Sequence, residues 1–128
     1  MKTRTHTGQI DLYKPAMGWL ASQKLSGEDY RVFFLMCSLL DDDNYIRVGQ
    51  VKIAEELNTT QSSVSRAIKK LVELDVLVPA GRSGNKKSFI MNPQIAVKGE
   101  HDQQKLDNYL AAKAANEASK DNEPQADE

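Results

Sequence analysis

Gln61, Ser62, Ser63, Ser65 and Arg66 stand almost side by side, with Lys69 and Lys70 one turn further on. Without a base or a metal beside them, an amide, hydroxyls and cations do not break covalent bonds. Their chemistry is recognition. A guanidinium offers a rigid fork to guanine or phosphate, an ammonium meets phosphate as a point charge, and short hydroxyl side chains let a backbone come close to what they bind. Three further cations, Arg82, Lys86 and Lys87, lie in and beside the loop "AGRSGNK" (80–86), whose turn residues are Gly81, Gly84 and Asn85. Ser and Thr are mediocre helix formers, because their hydroxyls compete for the backbone. Placing five of them in "NTTQSSVSRAIKKL" (58–71) costs about a few tenths of a kcal/mol each. Capping accounts for Thr60, which precedes the first helical turn. For Ser62 and Arg66, contact with a partner is the better account.

A helix from Gln61 is two-sided. At 100° per residue with Ser62 at zero, Val64, Ala67, Ile68, Leu71 and Leu74 fall within about 60° of the opposite side. Ser65, Arg66, Lys69 and Glu73 cluster around Ser62, with Lys70 and Ser63 at one edge and Gln61 at the other. Ahead of it, "GQVKIAEELN" (49–58) makes a short helix with Val51, Ala54 and Leu57 on one face. Asn58 stands where a tight turn needs a left-handed residue.

The elements around this pair are readable in order. "QIDLY" (9–13) alternates like a short strand, and Pro15 suits the first turn of a helix through Trp19 and Leu20. Ser26, followed by Glu28 and Asp29, starts a helix whose body, "YRVFFLMCSLL", is apolar nearly all round and must be covered on more than one side. "DDDN" (41–44) stops it, and "YIRV" (45–48) is a strand. "VLVP" (76–79) and "KSFIMN" (87–92) form a hairpin with a basic tip. Residues 102–118 repeat Leu106, Tyr109, Leu110 and Ala114 at helical spacing. The expected fold is α+β and mainly helical: a winged helix-turn-helix over residues 9–99, with an N-terminal extension and a C-terminal helix. A disordered basic arm (1–8) precedes it, the C-terminal helix lies in 100–118, and a disordered acidic tail (119–128) ends it. In the arm, Lys2 and Arg4 suit a minor groove, and Lys52 is a further candidate contact.

Charge distribution supports a nucleic-acid partner that the overall balance hides. The whole chain carries −1, and residues 100–128 hold eight acids against three lysines, so residues 1–99 carry +4. No apolar stretch approaches the roughly 20 residues of a membrane helix, and no signal region follows the basic start, so the expected location is cytoplasmic and no membrane partner is expected. Cys37 lies alone in an apolar run and reads as a small buried hydrophobe. His6 and His101 are far apart in the sequence, and no metal-ligand spacing, phosphate loop or nucleophile elbow is present. The expectation is a binding protein and not an enzyme, with no cofactor, no metal and no small-molecule ligand.

"IAEELNTTQSSVSRAIKKLVELDVLV", the basic hairpin and "FIMNPQIAVKG" (89–99) resemble the winged-helix replication proteins of the RepL type, found on small bacterial plasmids. The helix pair alone is similar to MarR-like repressors as well. The resemblance covers about residues 25–99 and leaves out the alanine-rich acidic end. It implies sequence-specific binding of double-stranded DNA that controls or initiates plasmid replication. A transcriptional repressor and a winged-helix protein–protein adaptor are the alternatives. Discrimination among many genomic sites favours a symmetric dimer. A homodimer is therefore expected, built from the N-terminal segment, the C-terminal helix or both; the alternative is that the C-terminal helix folds back on its own domain.

Overall fold

A computed structural model describes residues 8–122 of the chain, and their side chains as far as Ser119. The expected basic arm therefore lies, but for Gly8, outside the described residues, as does the tail beyond Asn122. Strand β1 (Ile10–Leu12) leads into helix α1 (Lys14–Ala21), with Pro15 in its first turn, where its missing N–H costs nothing. Helix α2 (Gly27–Ser38) begins with a capping box: the Asp29 N–H donates to the Ser26 hydroxyl, and the Ser26 N–H donates to the Asp29 carboxylate. It buries Val32, Phe33, Met36 and Cys37. Burial pushes the Cys37 thiol up to about 12, as befits an inert core group. The covering of α2 is incomplete, since Phe34 stays 55% exposed.

Strand β2 pairs only over Tyr45–Ile46, shorter than the expected 45–48. Helix α3 (Gln50–Leu57) and helix α4 (Gln61–Glu73) pack with α2 around Phe33, Met36, Ile53, Val64 and Leu71. Val51 is not on the buried face of α3 but 55% exposed. The buried arc is set by Ile53, Ala54 and half-buried Leu57, which leaves Val51 about 110° off its centre. Strands β3 (Leu77–Ser83) and β4 (Lys86–Met91) form the hairpin, and β2 adds to its other edge in the order β2-β4-β3. Helix, short strand, short helix, tight turn, two-sided helix and basic hairpin thus come in the expected order, and the fold is α+β and mainly helical.

Two features were not foreseen from the sequence. Strand β5 (Ala96–Lys98) pairs antiparallel with β1, tying residues 10–12 to 96–98. Asn44, read only as part of a helix stop, is fully buried in a left-handed conformation (φ 68°). Its amide donates to the carbonyls of Met91 (3.1 Å) and Ala96 (2.9 Å), and its side-chain oxygen accepts from the Lys98 N–H (3.0 Å). One side chain thus fastens the turn after α2 to β4 and β5.

Helix α5 (Gln103–Asn122) folds back on its own domain. Buried Tyr109 donates its hydroxyl to the Asp75 carboxylate (2.6 Å), Lys113 pairs with the same carboxylate (3.1 Å), and Asn116 donates to the Pro79 carbonyl (2.7 Å). Burial, and then the adjacent Asp75 carboxylate, push the Tyr109 phenol well above its ordinary range, which keeps it a donor. Helix continues through residues 119–122, where disorder was expected. Before α5, His101 bridges Asp11 (2.6 Å) and the Tyr13 hydroxyl. No helix among the described residues is long and apolar enough to cross a membrane.

Candidate nucleic-acid interface

The turn between α3 and α4 is built as its residues dictate. Asn58 adopts φ 55° and ψ 49°, a left-handed conformation that asparagine tolerates. Thr60 then caps α4, its hydroxyl accepting from the Ser63 N–H at 3.1 Å. Val64, Ala67, Ile68 and Leu71 are buried, so the opposite face of α4 points outward. Gln61, Ser62, Ser65, Arg66 and Lys69 are exposed along that face, and Ser63 is half-buried behind Thr60. Among the described residues, Gln61, Ser62 and Lys69 make no side-chain hydrogen bond or ion pair within the chain. Arg66 reaches only the Ser63 hydroxyl, at 3.4 Å.

The hairpin lies next to this face, and the N-terminus of α3 joins the two. Gln50 accepts a hydrogen bond from Ser65 of α4 (2.5 Å). Beside it, the aliphatic stem of Lys86 lies so close to Gly49 that an added Cβ would stand 3.2 Å from it. Gly49 is the N-cap of α3 and has no side chain to occupy the free amides of the first turn. Those amides and the helix dipole favour an anion between α4 and the hairpin. Gly49 and Gln50 were not singled out in the sequence. A glycine before a helix is commonplace, and only the fold brings it against Lys86.

The hairpin presents its charges by register. Ser83 faces Lys86 across a two-residue loop, and Arg82 faces Lys87. Gly84 begins that loop with φ 63°, the position that glycine takes in a type II′ turn. The tip is therefore tighter, and the strands longer, than a seven-residue loop over "AGRSGNK" would make them. A register shift between Pro79 and Arg82, at Gly81, bends the strand below the tip. Like charges directly opposite one another destabilise a sheet, and Arg82 and Lys87 stand so opposed. Arg82 donates only to the Asn85 carbonyl (3.1 Å), and Lys86 and Lys87 are exposed.

Lys70 differs from its neighbours. At the edge of α4 it pairs with Asp29, at 3.0 Å, and Asp29 is only 3% exposed. This ties α4 to the start of α2. Burial raises the Asp29 carboxyl, but hydrogen bonds from Ser26 and Lys70 outweigh it, and the net result lies below the ordinary value. A depressed folded value gives stability that is present above the unfolded value, about 3.9, and is lost as pH falls through the folded one. Asp29→Asn should therefore lower the urea midpoint at pH 7, and the gap to the parent should close as pH falls below about 3.9. A gap that persists to pH 2 would assign the loss to packing instead.

The surface that unites these residues is made of three parts that the sequence holds apart: 49–50, 61–69 and 82–87. No curated protein and no solved structure matches the chain. A family model described as "Firmicute plasmid replication protein (RepL)" matches residues 20–128. That span takes in α5 and the acidic end, which the resemblance over 25–99 had left out. With all but the first 19 residues covered, the chain belongs to the RepL family of Firmicute plasmid replication proteins.

Proposed function

We propose that the chain binds double-stranded DNA by a winged helix-turn-helix, at a site through which plasmid replication is initiated or controlled. Helix α4 lies in the major groove, which admits a helix and carries a distinct pattern for each base pair. Arg66 reads a guanine, Gln61, Ser62 and Ser63 meet base edges or phosphates, and Lys69 meets the backbone. Lys70 neutralises the edge of α4 while holding Asp29. The β3–β4 hairpin is the wing, with Arg82, Lys86 and Lys87 on phosphates. The observation that carries this reading is the junction at the α3 N-terminus, where Gln50 touches Ser65 and Gly49 touches Lys86. Those two contacts support taking the polar face of α4, the uncapped amides and the hairpin as one binding surface. The activity is binding, without a catalytic step or a cofactor.

The test uses duplexes tiled across the plasmid origin and across the promoter of the gene. Affinity should peak on origin DNA and fall steeply with salt. Arg66→Ala should then weaken that complex by about 1–3 kcal/mol and relax preference at one base pair. A uniform loss on every duplex would make Arg66 a phosphate contact; no loss would take α4 out of the interface. A peak over the promoter alone would favour a repressor.

A homodimer is part of the same proposal. With α5 seated on its own domain through Tyr109, exposed apolar side chains remain on several elements, Val51 of α3 and Leu110 of α5 among them, and the seam proposed for the dimer is α1 with α2. There Phe34, 55% exposed, lines a groove with Met17, Leu20, Ala21 and Tyr30, and Trp19 elsewhere on α1 is 41% exposed. Phe34→Asp should convert a sedimenting dimer into a 14.3 kDa monomer at micromolar concentration without changing the helical signal. A parent chain that already sediments as a monomer would refute the dimer.

A further inference from the structure

The structure points to a second occupant for the wing: we propose that the acidic end of this same chain docks on Arg82, Lys86 and Lys87 and competes there with DNA. This rests on the wing being a DNA contact, as proposed above. Helix α5 does not lie on the domain in an arbitrary direction. Tyr109 is fixed to Asp75, just before β3, and seven residues later Asn116 is fixed to Pro79 within it. Ser119 then lines the same groove as Ala80 and Gly81. The helix therefore runs alongside β3 in the same direction, from the base of the hairpin toward its tip. Gly81 is the residue before Arg82, so α5 delivers the chain to the edge of the basic patch.

The chain delivered there has the opposite sign. Beyond Ser119 it carries Asp121, Glu123, Asp127 and Glu128 against Lys120. The wing tip carries three cations, two of them facing one another in register. Reach is sufficient: six residues after Asn122 extend up to about 20 Å, whereas Gly81 and the wing tip are separated by only two or three strand residues, roughly 7–10 Å. Carboxylates in this position occupy the sites of phosphates. Random-sequence DNA, held almost wholly by phosphate contacts, has to displace them without compensation from base contacts. A specific site supplies those contacts through α4. The acidic end thus raises the ratio of specific to non-specific binding without touching a base.

Two measurements on the full chain test this. Cys37 is buried with its thiol pushed up to about 12, so a nitroxide added to an Ala126→Cys variant labels position 126. At low salt and without DNA, amide signals of residues 82–87 should broaden, and a random duplex should relieve the broadening. Absent broadening, or broadening spread evenly over the surface, overturns the contact and leaves DNA binding untouched. Broadening that DNA does not relieve overturns the competition and counts against the wing's place on DNA. In the second measurement, a chain with Asp121→Asn, Glu123→Gln, Asp127→Asn and Glu128→Gln should bind a random duplex about tenfold tighter at low salt. That gain should disappear once Arg82, Lys86 and Lys87 are neutralised as well. An equal gain in both backgrounds means that the acids act on DNA from a distance, and the docking proposal fails.

Discussion

Asn44→Ala should destabilise the protein by about 3–5 kcal/mol, the largest loss expected from any single polar substitution in this fold. Three buried groups lose their partner at once: the carbonyls of Met91 and Ala96 and the N–H of Lys98. Each buried group left unpaired costs about 1–3 kcal/mol, and some of that is recovered as the site relaxes. Alanine is also strained at φ 68°, whereas asparagine accepts it. Asn44→Gly separates the two contributions. It loses the same hydrogen bonds without the strain, and should be more stable than the alanine variant by about 1 kcal/mol. Urea unfolding followed by circular dichroism measures both. An alanine variant within about 1 kcal/mol of the parent would mean that water replaces the amide, and that the two small sheets do not depend on Asn44.

The largest functional effect should come from the wing. Replacing Arg82, Lys86 and Lys87 with glutamine removes three charges, each worth about 0.9 in the slope of log K against log salt. The slope should flatten by up to about three units, and affinity near 0.1 M salt should drop by about 10²–10³-fold on origin and random duplexes alike. Folding should survive, because all three side chains are exposed and the opposed pair of cations is relieved. Titrations at four salt concentrations are enough. An unchanged slope would place the hairpin off the DNA, and a loss confined to the origin duplex would make one of the three a base contact.

The range over which each signal acts decides what could be read from the sequence. Caps and turns are local, and Ser26, Asn58 and Thr60 do what their types require. The two-sided pattern of α4 repeats over thirteen residues, enough to identify Val64, Ala67, Ile68 and Leu71 as its buried face. Helix α3 has eight residues, too few for its pattern to exclude Val51. Long-range pairings left no trace. β5 is three residues long and has meaning only beside β1, and nothing next to Asn44 in sequence shows that its partners lie 47 to 54 residues on. The candidate site divides the same way. The face of α4 and the cations of the hairpin were legible as types, whereas the Lys70–Asp29 pair and the Gly49–Lys86 contact depend on packing between elements. Of the Leu106/Tyr109/Leu110 stripe, Tyr109 alone is buried, and its hydroxyl finds a partner in Asp75.

The pairing of β1 with β5, and of Asn44 with Lys98, also governs the order in which a newly made chain matures. At about 5–20 residues per second, roughly 3–10 s separate the synthesis of Asn44 from that of Lys98. Helices α3 and α4 are synthesised in that interval, after α2, with the turn at Asn44 still open and β1 without its partner strand. A translation product halted before residue 96 therefore carries the whole of α4 in its sequence but not the closure that holds its support in place. Such fragments are expected to be cleared by proteases, so that only finished chains accumulate.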